Sequence, residues 1–136
     1  MNMDIIYALE PRLSANEFHD VLVASTLGER RPVKDLARLE RMLRDANVII
    51  TARHEGRLVG ISRALSDFSF CCYLSDLAVD AAYQHRGIGK RLIAETHAQA
   101  GPETTLILVS APAAEGYYPK IGMNQHMSCW TIARKK

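Results

Sequence analysis

Apolar positions along the chain change spacing several times, and each change marks a predicted element. The run Ile5, Ile6, Tyr7, Ala8 and Leu9 is short and stops before Pro11, which predicts a first strand. Ser14 followed by Glu17 is a capping box, where hydroxyl and carboxylate satisfy helix-start amides. Phe18, Val21, Leu22 and Ser25 then recur at helical spacing until Gly28. Beyond the polar turn Glu29, Arg30 and Arg31, Pro32 suits the first turn of a second helix. Its buried stripe is Val33, Leu36, Leu39 and Leu43, and it ends near Asn47.

The spacing then turns to strands. Residues 48–52 and 58–61 are β-prone runs joined by a polar stretch with Gly56 where a tight hairpin needs it. Residues 70–79, long and mostly apolar, predict a central fourth strand. Ile88, Leu92 and Ile93 place a helix over 87–99, ended by Gly101 and Pro102. A fifth strand at 106–109, a short helix over 113–118 and a final extended stretch over 123–132 follow. The order β-α-α-β-β-β-α-β-α-β predicts an α/β fold, a mixed sheet covered by helices. A helix crossing between strands 4 and 5 makes those two parallel neighbours.

Totals narrow this only a little. With 136 residues, 48% hydrophobic and 24% charged, the chain fits one globular domain over 1–136, without repeats or linkers. Its 17 basic and 15 acidic residues give +2, and the one basic run is Arg134, Lys135 and Lys136, so nucleic acid is not an expected partner. Cys71, Cys72 and Cys129 are odd in number and lack metal-ligand spacing, which predicts a reduced, cytoplasmic protein with no metal. Met1, Asn2, Met3 and Asp4 open no secretory signal, and no stretch has membrane-spanning length.

Chemistry concentrates where strand 4 turns into a helix: Leu77, Ala78, Val79, then Gln84, His85, Arg86, Gly87, Ile88, Gly89 and Lys90. A helix start leaves amide N–H groups unpaired and carries partial positive charge, so it can hold phosphate. Glycine at 87 and 89 keeps those amides accessible, and Arg86 and Lys90 add charge. A lone G-x-G most often only permits a tight turn. Here G-x-x-x-x-G-K-[ST] and the full G-x-G-x-x-G are both missing, whereas Gln-x-x-Gly-x-Gly follows Asp76, Leu77, Ala78 and Val79.

That segment resembles the acetyl-CoA-binding motif of the GCN5-related N-acetyltransferase (GNAT) superfamily. The close match covers residues 74–93 and 114–123, and the element order extends the likeness over nearly the whole chain. The resemblance implies that strands 4 and 5 splay to admit the pantetheine arm of acetyl-CoA as co-substrate. It implies that the main chain of Leu77 and Val79 pairs with pantetheine or the acyl carbonyl, and that residues 84–90 wrap the pyrophosphate. Tyr117, Tyr118, Pro119, Lys120, Ile121, Gly122 and Met123 are similar to the F-Y-x-K-x-G-F signature. Tyr118 thereby becomes the acid that protonates the leaving thiolate, and it also contacts the cofactor.

Departures matter too. Ala111 stands where many relatives place a pantetheine-binding asparagine, and Tyr73 and Ser75 where they carry a glutamate base. Asp76 is adjacent but on the opposite face of a strand from Ser75. His54 and His126 are weak candidates for the base, and an amine that arrives neutral needs none. Cys71 and Cys72 lack a nearby His/Asp pair to activate them. The expected reaction is direct attack of a primary amine on acetyl-CoA in a ternary complex, with the Leu77 N–H stabilising the oxyanion. The acceptor is expected to be a small molecule; Arg30 and Arg31 read first as solvated loop charges, and second as cations that favour an acidic or carboxylate-bearing amine. A non-catalytic acyl-CoA sensor is the alternative, and a homodimer stays open.

Overall fold

The computed structural model describes residues 4–136; Met1, Asn2 and Met3, part of the start read above for a signal, lie outside these residues. Five strands form one sheet in the order β1-β2-β3-β4-β5: β1 (Ile5–Leu9), β2 (Val48–His54), β3 (Arg57–Ser66), β4 (Cys71–Val79) and β5 (Thr105–Ile107). The first four pair antiparallel, and β4 runs parallel to β5 across helix α3 (Ile88–Ala100). On the other face lie α1 (Ala15–Ala24) and α2 (Leu36–Asp45), and α4 (Tyr117–Lys120) follows β5. The expected mixed α/β sheet is therefore formed.

Alternation along β2 builds two cores. Ile49 packs with Phe18, Leu22, Leu39 and Leu43 of α1 and α2, whereas Val48, Ile50 and Ala52 pack with Ile88 and Leu92 of α3. Gly60 lets α3 approach β3 closely, since a Cβ there would meet Leu92 Cδ1 at 3.1 Å and Ile88 Cγ2 at 3.2 Å. Thr96 Oγ1 donates to Leu92 O and contacts Ser62 Oγ at 2.7 Å. The start of α3 is thus fixed over the C-terminal end of β4.

Local signals set the element ends. The Ser14 hydroxyl accepts the Glu17 amide as a cap should, but the Glu17 carboxylate turns to Arg53. The β2–β3 turn is only Glu55 and Gly56, both at positive φ, so the strands run longer than the apolar spacing predicts. Pro32 does not start α2; Asp35 caps it by accepting the Arg38 amide, and a 3-10 turn at Leu27–Arg30 precedes it. The final strand expected over 123–132 is absent: β5 ends after three residues, the edge it offers is short, and Met127, Trp130 and Ile132 are exposed.

Candidate active site

β4 and β5 pair only from Cys71–Thr105 to Tyr73–Ile107. Beyond that point they separate around a cleft of about 580 Å³, with Leu74, Ser75, Leu77, Ala78 and Val79 on one wall and Leu108, Val109 and Ala111 on the other. This is the splay anticipated for strands 4 and 5. Asp80 N–H donates to Val59 O on β3, so alternation directs Ala78 to β3 and the main-chain groups of Leu77 and Val79 toward the cleft. The Val79 carbonyl accepts the Gln84 side-chain amide at 3.1 Å; the Leu77 groups have no strand partner on that side.

Contacts within the turn, and one from Arg57, shape the passage from β4 into α3. Asp80, almost fully buried, accepts the Ala82 amide and the Arg57 guanidinium. His85 at φ 63 and Gly87 at φ 81 turn the chain, and Gly87 caps α3. A Cβ at Gly87 would meet nothing within 4 Å, so its left-handed backbone, rather than crowding, calls for glycine. Gly89 differs: a Cβ there would lie 2.8 Å from the Tyr117 hydroxyl. Ile88 points into the core, leaving only its main chain to face outward, while His85, Arg86 and Lys90 are exposed at the helix start.

Tyr118 lines the cleft from α4 and faces β4. Burial, reinforced by the neighbouring Tyr117, pushes its pKa above the ordinary tyrosine value, which already keeps a phenol protonated at neutral pH. Tyr117 packs edge to face on Tyr118, with ring centroids 5.2 Å apart, and its hydroxyl covers the start of α3. Sequence reasoning gave Tyr117 no role; its position beside Tyr118 in the signature was the available signal.

The acid, histidines and cysteines weighed above do not line the cleft. Asp76 is wholly buried, and its two oxygens bond Arg31 Nε and Arg63 Nε. Arg31 also donates to Ser75 O at 2.8 Å, and Arg63 to Ser75 Oγ and Met42 O. Asp76 is therefore committed to this network and does not reach the cleft. His54 bonds the Tyr83 hydroxyl, and His126 accepts the Ser128 amide within the C-terminal segment. Burial raises the Cys72 pKa, and neither Cys71 nor Cys72 lines the cleft. The acidic lining residue is Glu29, which joins Arg30 and Arg31 on the loop after α1.

An open strand edge, a glycine-capped helix start and a protonated phenol together call for a comparison with known proteins. The family model for the acetyltransferase (GNAT) domain matches residues 15–128. The chain belongs to the GNAT acetyltransferase family. No protein of curated function matches the sequence. Solved structures share the fold. A GNAT family acetyltransferase from Streptococcus pneumoniae superposes with a TM-score of 0.73 at 21% identity, covering 97% of this chain and 100% of that one. A Trypanosoma brucei acetyltransferase gives 0.68 at 25% identity, covering 96% and 100%. An aminoglycoside N-acetyltransferase solved in complex with CoA gives 0.70 at 16% identity, covering 99% and 96%. Among the described residues no helix is long and apolar enough to cross a membrane.

Proposed function

We propose that this GNAT member transfers an acetyl group from acetyl-CoA to the primary amine of a small acceptor, by direct attack with both substrates bound. The observation that carries the reading is that the half-buried phenol of Tyr118 lines the same cleft as the unpaired edge of β4. The residues suit the co-substrate. The Leu77 and Val79 main-chain N–H groups are free to pair with pantetheine, and the exposed start of α3, with Arg86, Gly87, Gly89 and Lys90, suits a pyrophosphate. Gln84 and His85 border that start, Ala78 lines the cleft wall, and Ile88 lends only its amide.

The co-substrate supplies an activated thioester. The protein orients that thioester, offers the Leu77 N–H to the developing oxyanion, and delivers the Tyr118 proton to the departing sulfur. Free thiols at Cys71, Cys72 and Cys129 fit a reducing, cytoplasmic setting.

Tyr118→Phe tests the assignment. Turnover in a thiol-release assay should fall about 10²-fold while acetyl-CoA affinity holds; unchanged turnover removes Tyr118 from the reaction. The absence of any free carboxylate on β4 favours one other reading, an acyl-CoA sensor that transfers nothing. Binding of acetyl-CoA with no transfer across a broad amine panel would select it.

A further inference from the structure

The nature of the acceptor rests on the acetyl-transfer reading above and is written on the loop after α1. Three charged side chains from that loop line the cleft: Glu29, Arg30 and Arg31. They are not equivalent. Each nitrogen of the Arg31 guanidinium is engaged, with Nε on the Asp76 carboxylate, Nη2 on Ser75 O at 2.8 Å and Nη1 on Arg30 O at 2.9 Å. Glu29 and Arg30 adjoin it in sequence, and among the described residues neither side chain is engaged in a hydrogen bond or ion pair.

Their presentation is rigid. Gly28 is buried against the end of α1, where a Cβ would come within 3.2 Å of the Leu22 main chain and Val23 Cα. Ser25 Oγ donates to Leu22 O and accepts the Leu27 amide, and Thr26 holds a left-handed turn at φ 73. With Gly28 pinned on one side and Arg31 on the other, Glu29 and Arg30 project from a 3-10 turn whose backbone has little freedom.

We propose that Glu29 and Arg30 select a small acceptor bearing a carboxylate as well as its primary amine, Arg30 receiving the carboxylate and Glu29 the nitrogen. A guanidinium with free donors is the side chain best matched to a carboxylate. A polycation would meet Arg30 beside its one carboxylate partner, and a polyanion would meet Glu29. An amino acid offers one group of each sign.

The proton inventory closes. The neutral amine nitrogen attacks the thioester carbonyl carbon, and the adduct nitrogen, now positive, is far more acidic than a free ammonium. Glu29 takes that proton and passes it to water at the exposed mouth of the cleft. The C–S bond breaks as the carbonyl re-forms, the sulfur takes the Tyr118 proton, and Tyr118 recovers one from water. From the neutral amine, no net proton is released.

The test compares thiol release from acetyl-CoA with ω-amino acids, from glycine to 6-aminohexanoate, against alkylamines of matched length. At least one amino acid should exceed its alkylamine in kcat/KM by about tenfold, as expected for a charged hydrogen bond. Arg30→Gln should erase that preference by raising KM for the amino acid. Glu29→Ala should lower kcat about 10²-fold without changing acetyl-CoA affinity, and added formate should restore part of the loss. Equal or better use of alkylamines, an unchanged KM in Arg30→Gln, or an unchanged kcat in Glu29→Ala overturns the assignment while leaving acetyl transfer standing. Acetyl-CoA binding without transfer to any of these amines overturns the assignment, and the same result across the broad amine panel overturns acetyl transfer as well.

Discussion

Two loops border the cleft, and they are held in opposite ways. The turn from β4 into α3 is held largely by its own neighbours: Asp80 bonds the amide two residues on, Gln84 reaches back to Val79, and Gly87 takes the left-handed position before the helix, while Arg57 on Asp80 and His54 on Tyr83 add two bonds from the β2–β3 hairpin. The loop after α1 starts from local bonds at Ser25, but its far end is held from a distance, by Arg31 reaching 45 residues along the chain to the buried Asp76. Each contains a non-glycine residue at positive φ, His85 in one and Thr26 in the other. What differs is where the restraint comes from. The proposed donor end of the cleft depends mostly on local bonds, and the proposed acceptor end on a buried tertiary network.

If that contrast is right, the largest stability effect should follow loss of the long-range tether. Asp76→Ala leaves Arg63 and Arg31 without their shared carboxylate, and breaking a buried pair typically costs about 3–5 kcal/mol. Gln84→Ala on the local turn should cost under about 1.5 kcal/mol, the net worth of one hydrogen bond. Urea denaturation of both variants checks the difference. Equal losses would mean that the network does not anchor the loop.

Legibility in the sequence follows the same division. Gln84, Gly87 and Gly89 lie within six residues, so their spacing could be read directly, as could Tyr118 within its signature. The capping residue Ser14 and the turn glycine Gly56 were equally local. Asp76 and Arg31 carry no spacing relation, so nothing in the sequence revealed that they pair. Asp76 therefore looked like a stray acid beside the site, and Arg31 like a solvated loop charge. Arg63, in the middle of a buried strand, broke the apolar run and shortened the predicted third strand. The misplaced start of α2 has the same origin: Pro32 is a valid helix opener, but the tethered Arg31 directs the chain through a turn first, and Asp35 takes the cap.

A smaller effect separates two glycines of the local turn. Gly87→Ala meets no atom, so its cost is the left-handed backbone alone, about 1–2 kcal/mol in thermal or urea unfolding. Gly89→Ala instead drives a methyl toward the Tyr117 hydroxyl. It should displace Tyr117 and weaken acetyl-CoA binding at the helix start more than it lowers stability. Calorimetric binding with the two variants side by side checks this, and equal affinities would remove Gly89 from the donor site.

The smallest effect is a control remote from the cleft, in another locally held loop. Asp67, between β3 and β4, accepts the amides of Ser69, Phe70 and Cys71, and these bonds lower its pKa to about 2. Because the folded value lies below the unfolded one, the stabilisation is complete above the ordinary aspartate range and is lost as pH falls through about 2. Asp67→Asn cannot ionise and should lack this dependence. The urea midpoints of wild type and Asp67→Asn should therefore differ by a constant amount above pH about 4 and converge as pH falls toward about 2. A gap that widened on acidification would reverse the sign of the linkage and show that the three amides do not favour the ionised carboxylate. Thiol-release activity near neutrality should be the same in both proteins, since this restraint, unlike the Arg31 tether, touches neither end of the cleft.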